Sequence, residues 1–325
     1  MGETESVCRV LVINESPRQL CELIQERVAG VDLATCGSMT EFERSLSIHR
    51  PEVVLAFKLP GMTPESLTPL FTAASVKWIH NGGAGVEHFP RWNTERLTVT
   101  NASGVLSDVL AEYVMASIFM MNIGFPQCWR QQVAHQWQLN LWQPVHGKNL
   151  LIVGLGNIGR RVAARAKAAG MRVTGMRARA LAVDEVDEMI SPDQLRVTVA
   201  MADFVTVHVP LTAATHRLID RNIIDAMPPH AVLINASRGA VVDEAALHLA
   251  LKQRRLKGAV LDVFEREPLP DDSPLWELDN VVITPHMADS IDNWELPITE
   301  HFCANLRRWR AGQPLQNVID PKRGY

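Results

Sequence analysis

The chain has 325 residues, longer than one typical domain, and 47% of them are hydrophobic, which is enough to bury one or two substantial cores, so two domains are expected. Its net charge of −4, with basic residues dispersed in short groups, leaves no basic face for nucleic acid or an anionic membrane, so the expected partner is a small molecule. Five scattered cysteines without C-x-x-C spacing exclude a zinc framework and suit reduced thiols in a cytoplasmic protein, and no apolar run is long enough to span a bilayer.

In chain order, short apolar and β-branched runs alternate with helical patterns. RVLVIN (9 to 14), VVLAF (53 to 57), VKWIH (76 to 80) and LTVTN (97 to 101) form a first series of predicted strands. A long apolar helix starting near Asp108 and running past Met121 follows, and then a Trp- and Gln-rich stretch containing Trp129, Trp137 and Trp142. So much aromatic surface needs cover, so this stretch points to a second subunit or to a flap over one. LLIVG (150 to 154), MRVTGM (171 to 176), DFVTVHV (203 to 209), AVLINAS (231 to 237), GAVLDVF (258 to 264) and NVVITPH (280 to 286) form a second series, and an amphipathic helix around Pro297 to Arg310 ends the pattern. Strands buried on both faces read as continuous apolar runs, and their alternation with helices implies parallel sheets. The expected fold class is therefore α/β, with two doubly wound parallel-sheet domains.

GLGNIG, Gly154 to Gly159, fits G-x-G-x-x-G between a predicted strand and a helix that Gly170 stops. Gly154 permits the tight turn and Gly156 lets a pyrophosphate approach the backbone. Gly159 lets the helix lie close to the strand, so that amides at Asn157 and Ile158 face phosphate. Where an NAD-binding chain offers a carboxylate to the ribose, this one offers Arg177, with Arg179 nearby. A guanidinium grips a 2′-phosphate that a carboxylate would repel, so Arg177 and Arg179 point to NADP(H), with NAD(H) as the alternative if they are solvated loop arginines.

INASRGAVVDE (234 to 244), LDVFEREPLP (261 to 270) and TPHMAD (284 to 289), together with HGKNLLIVGLGNIG, HVPLT and SPLW, resemble the D-isomer-specific 2-hydroxyacid dehydrogenases, and in particular their glyoxylate/hydroxypyruvate reductase branch. The resemblance, including that of NASGVLSDVLAEYV (101 to 114) to the family's hinge, implies a Rossmann cofactor domain, residues 102 to 290, and a smaller, discontinuous flavodoxin-like substrate domain, residues 1 to 101 and 291 to 325, with a cleft between them. It implies that Arg238 binds the substrate carboxylate and carbonyl, and that Glu267 pairs with His286, the acid in reduction and base in oxidation. By the same resemblance Ala84 and Gly85 in NGGAGVEHF supply amides to the carboxylate, although Glu87 stands where the family commonly has Asp. Pro210 would lie against the adenine, with Ala236 and Asp262 towards the nicotinamide. The residue types suit the chemistry independently: hydride reaching a ketone carbon leaves charge on oxygen, which a cation and a proton donor stabilise. Taken singly, Arg238 also reads as a surface charge, Glu267 as a turn cap, His286 as a core histidine, Asp262 as a strand-end cap and the 81 to 89 loop as a plain turn. The function implied is NADPH-dependent reduction of glyoxylate and hydroxypyruvate by a homodimer without a metal. An NAD-linked dehydrogenase of another D-2-hydroxy acid and a nucleotide-sensing interaction protein are the alternatives.

Overall fold

The computed structural model describes residues 7–178 and 183–321. In chain order the elements are β1 (Cys8–Ile13), α1 (Arg18–Arg27), β2 (Val31–Cys36), α2 (Met39–His49), β3 (Val53–Ala56), α3 (Pro64–Thr72), β4 (Trp78–Asn81) and β5 (Thr98–Asn101). There follow α4 (Ser107–Ile123), α5 (Phe125–Val133), β6 (Asn149–Val153), α6 (Asn157–Ala168), β7 (Arg172–Met176), β8 (Glu188–Ile190) and α7 (Leu195–Val199). The last are β9 (Phe204–Val207), α8 (Arg221–Ala226), β10 (Val232–Asn235), α9 (Glu244–Lys252), β11 (Gly258–Leu261), β12 (Val281–Ile283) and α10 (Glu295–Arg310).

The chain forms two compact units, Met1–Leu106 with Ile291–Tyr325, and Ser107–Ser290. In the first, a five-stranded parallel sheet runs β2-β1-β3-β4-β5, a doubly wound order. Its central strand β3 is buried along its whole length, because parallel strands are covered by helices on both faces. Residues Ala102 to Leu106 stay with this unit: the Ala102 amide donates to the Gly83 carbonyl at 3.1 Å and Asn317 Nδ2 to the Ser103 carbonyl at 2.8 Å.

In the second unit, seven parallel strands run β12-β11-β10-β9-β6-β7-β8. β9, β10 and β11 are buried throughout, and each apolar side chain of the size of Val, Leu or Ile contributes about 1.5–3 kcal/mol by leaving water. Helix α6 turns Val162, Ala163 and Ala166 inward at helical spacing and packs with α4, whose Ala111, Val114 and Ile118 are fully buried. Asp108, for which the sequence gives no role, ties the two helices together: its carboxylate accepts from Arg161 and Arg165, each at 2.9 Å.

Two strands depart from the expected series. β2 and β8 are edge strands: in β2 the exposed Asp32 and Thr35 interrupt the apolar run, and β8 is three residues long and opens on the exposed Glu188, so neither shows the continuous apolar signature. The Trp-rich stretch begins as helix α5. Past α5 it carries exposed apolar side chains, among them Trp137, Leu139, Leu141 and Trp142.

Candidate functional site

Because every strand of the second sheet runs the same way, the loops after β6, β7, β9, β10, β11 and β12 emerge at one carboxyl edge. That is where doubly wound sheets bind ligands, and the strand order turns outward on both sides of β6. The chemistry-bearing residues of this unit lie on those loops.

The glycine loop follows β6. Gly154 has φ +107°, and a Cβ there would stand 2.7 Å from the His208 carbonyl carbon; one on Gly159 would stand 2.2 Å from the Gly154 carbonyl oxygen. Gly156 is different: a Cβ would meet nothing within 4 Å, so the loop faces open space where a pyrophosphate would approach. Asn157 and Ile158 open α6 behind it. The amides of Gly154 and Leu155 both donate to the Met176 carbonyl at 3.1 Å, which fastens the loop to the end of β7 and sets Arg177, the next residue, beside it. Arg177 is exposed. Arg179 lies outside the described residues.

His208 and Pro210 follow β9. The His208 amide donates to the Val153 carbonyl at 2.8 Å, and both ring nitrogens are buried with no hydrogen-bond partner. Burial pushes its pKa down to about 4, so the ring is neutral and offers one donor and one acceptor. The features a dinucleotide would use are the open approach at Gly156, the start of α6 behind it and the exposed Arg177 beside the loop; the residues present fit that cofactor. Pro210 is exposed, and its carbonyl accepts from the Thr215 hydroxyl at 2.5 Å.

After β10, Asn235 organises the turn that presents Ala236 and Arg238. Its Oδ1 accepts from the Ser237 amide at 3.1 Å and the Ser237 hydroxyl at 2.8 Å, and its Nδ2 donates to the Arg238 carbonyl at 3.1 Å. Arg238 donates from its own guanidinium to the Ser237 carbonyl at 2.7 Å. Gly239 must be glycine here, since a Cβ would lie 1.9 Å from the Phe264 carbonyl carbon.

The histidine pair stands on the loops after β11 and β12. His286 Nδ1 is 2.7 Å from Glu267 Oε2, while Glu267 Oε1 accepts from the Phe264 amide at 3.0 Å, so both carboxylate oxygens are oriented. The hydrogen bond that His286 donates to Glu267 raises the His286 pKa against the opposing effects of burial and Arg238. Burial pushes Glu267 up, but the hydrogen bonds from His286 and Phe264 and the charges of His286 and Arg238 outweigh it and leave the pKa lowered. The result is a hydrogen-bonded pair that favours the protonated histidine and the ionised carboxylate, in the field of a second cation, Arg238.

Asp262, 1% exposed, holds the loop that carries His286. Its Oδ1 accepts from the Thr284 hydroxyl at 2.5 Å and the Met287 amide at 2.8 Å, and its Oδ2 from the Ala288 amide at 3.0 Å. Tyr113 OH is 2.6 Å from Thr284 Oγ1, which extends the chain of hydrogen bonds into α4. His286 itself sits at φ 50°, a conformation that non-glycine residues adopt only where surroundings enforce it.

In the first unit, the 81 to 89 loop follows β4. Asn81 Nδ2 donates to the carbonyls of Gly83 and Gly85 at 2.9 and 2.8 Å, and Asn101 Nδ2 to that of Ala84 at 2.7 Å. These bonds turn the carbonyls inward, and among the described residues the amides of Ala84 and Gly85 donate to no other group. Consecutive amides left undonated form an anion-binding concavity. Asn81, Asn101, Tyr113, His208, Asn235 and Thr284 were not singled out by sequence motifs; Asn at strand ends is the signal that could have found three of them.

A family model described as "D-isomer specific 2-hydroxyacid dehydrogenase, NAD binding domain" matches residues 115–288. The chain is 32% identical over 308 residues to a D-3-phosphoglycerate dehydrogenase of Methanocaldococcus jannaschii, covering 91% of this chain and 56% of that protein's length. It is 35% identical over 229 residues to a glyoxylate reductase of Korarchaeum cryptofilum, covering 68% and 69% respectively. Among solved structures, an NADPH-dependent glyoxylate/hydroxypyruvate reductase from Sinorhizobium meliloti in complex with NADP and sulfate superposes with a TM-score of 0.85 at 25% identity, covering 98% of this chain and 100% of that one.

Proposed function

The chain belongs to the D-isomer specific 2-hydroxyacid dehydrogenase family and is an enzyme, and from that premise we propose that it reduces small 2-oxo acids, glyoxylate and hydroxypyruvate foremost, with NADPH. The observation that carries the proposal is the His286–Glu267 pair at 2.7 Å on the strand edge that also bears Arg238 and the glycine loop.

Gly154, Gly156, Asn157, Ile158 and Gly159 would hold the dinucleotide's pyrophosphate, and Arg177, helped by Arg179, would hold a ribose phosphate. Pro210 would serve the adenine, and Ala236 and Asp262 the nicotinamide. When bound, the reduced nicotinamide supplies the hydride. Arg238 addresses carboxylate and keto oxygen with its planar fork. Because Nδ1 of His286 is committed to Glu267, Nε2 is the atom that donates the proton as charge develops on the substrate oxygen. In oxidation the same nitrogen accepts it. The first unit takes the substrate-domain role, with the amides of Ala84 and Gly85 offered to a carboxylate, and the second the cofactor-domain role.

Exposed apolar residues from Trp129 to Trp142 support a homodimer. The cysteines are all free, which supports a reducing, cytoplasmic setting, and no single described helix is long and apolar enough to cross a membrane. The D-3-phosphoglycerate dehydrogenase relatives favour a second reading, an NAD-linked dehydrogenase of another D-2-hydroxy acid. Initial rates with glyoxylate, hydroxypyruvate and D-3-phosphoglycerate, on the wild type and His286→Gln, separate the two. Turnover of the first two that falls by about 10²–10⁴-fold in the variant is the expected result. Oxidation of D-3-phosphoglycerate alone would select the second reading, and no turnover at all would return the sensing protein.

A further inference from the structure

The opposite, amino edge of the second sheet carries its own cluster of charge. Lys148 immediately precedes β6, Asp203 precedes β9, and Lys257 precedes β11. The pairing Leu150↔Phe204, Phe204↔Val232 and Val232↔Gly258 brings these strand starts side by side. Asp203 is shared: one oxygen accepts from the Asn149 amide at 2.8 Å, and the other is 3.5 Å from both Lys148 Nζ and His230 Nε2. Lys257 Nζ reaches the Asn122 carbonyl at 3.4 Å, and among the described residues no carboxylate pairs with it. Of the two ammonium groups, only that of Lys148 has a carboxylate partner among the described residues, and that carboxylate already has two others.

Both lysines line a cavity of about 240 Å³, together with Asn122, Leu141, Trp142 and Gln143. Loss of solvent around the Lys257 ammonium, and next the charge of Lys148, lower its pKa, and Asp203 only partly offsets them. A negative charge in the cavity would relieve that repulsion. It would also find two ammonium donors and the apolar side chains of Leu141 and Trp142 in one lining, the mixture that small-ligand sites combine.

We propose that this cavity binds a small oxyanion, a phosphate or a compact carboxylate, between Lys148 and Lys257, at a site separate from the glycine loop and the histidine pair. The site lies at the strand starts, so its occupancy does not depend on the proposed reaction.

Isothermal titration calorimetry tests it, with sodium phosphate and sodium malonate titrated separately and sodium chloride at equal ionic strength as the blank. The proteins are the wild type, Lys257→Gln, Lys148→Gln and Arg177→Asp. Saturable binding of either anion above the chloride blank is expected in the wild type and in Arg177→Asp, weakened at least about tenfold in each lysine variant, as loss of one charge-assisted hydrogen bond requires. The anion that gives the heat identifies the class. Binding that persists undiminished in both lysine variants, binding lost only in Arg177→Asp, or no saturable heat from either anion would overturn the proposal.

Discussion

Replacing Asp262 tests whether the loop carrying His286 is held from below. In Asp262→Ala the amides of Met287 and Ala288 and the Thr284 hydroxyl lose their acceptor. Ala288 is buried, so its amide bears the full cost of an unsatisfied donor, about 1–3 kcal/mol. Met287 is 45% exposed, so its amide recovers part of the loss from water, and the Thr284 hydroxyl can rotate. The sum is about 2–4 kcal/mol of destabilisation. In Asp262→Asn, with the amide oxygen in the place of Oδ1, the Thr284 and Met287 bonds survive and the Ala288 bond fails, which costs about 1–3 kcal/mol. Urea unfolding followed by circular dichroism, extrapolated to water, measures both. Since His286 is held at φ 50° by the same loop, turnover should fall in parallel. Two variants within about 0.5 kcal/mol of the wild type, the range of an ordinary surface change, would refute the reasoning.

Glu267→Gln removes the main cause of the raised His286 pKa, so the alkaline limb of reduction should move to lower pH, while oxidation, which needs neutral imidazole, should set in at lower pH. The pair's contribution to stability is present at low pH on the histidine side and lost as pH rises through the raised His286 pKa. On the glutamate side it is present above the ordinary carboxylate pKa and lost as pH falls through the lowered Glu267 pKa; pH-dependent melting of wild type and variant checks both limbs. Gly239→Ala should destabilise by at least about 2 kcal/mol, because the Cβ meets backbone at Phe264 that cannot step aside, and a wild-type melting curve would contradict that geometry.

The central strands were legible because burial on both faces leaves a continuous apolar run: VVLA, FVTV, VLIN and GAVL each stand wholly buried. β2 and β8 were not: the exposed Asp32 and Thr35 break the run of the first, and the second has only three residues, one of them the exposed Glu188. Helix α5 was hidden for a related reason: its tryptophan and glutamines read as surface, and only Gln131 is buried. At the site, motifs named the residues that carry charge, and the loops after parallel strands gather those of the second unit at one edge. What motifs did not name are the neutral groups that set backbone direction. Asn235, Thr284, Asn81 and Asn101 act through hydrogen bonds to main chain, and such bonds depend on turn geometry that no residue spacing encodes. The φ of His286 belongs with them.

The most direct test of the account is the ratio of kcat/KM for NADPH to that for NADH with glyoxylate, on the wild type and on Arg177→Asp. Arg177 follows the carbonyl that anchors the glycine loop, and a guanidinium there should hold a ribose phosphate by charge-assisted bonds. The account predicts a wild-type preference for NADPH that falls at least about tenfold in Arg177→Asp. Equal use of both cofactors by the wild type, or a preference that the substitution leaves unchanged, would contradict it.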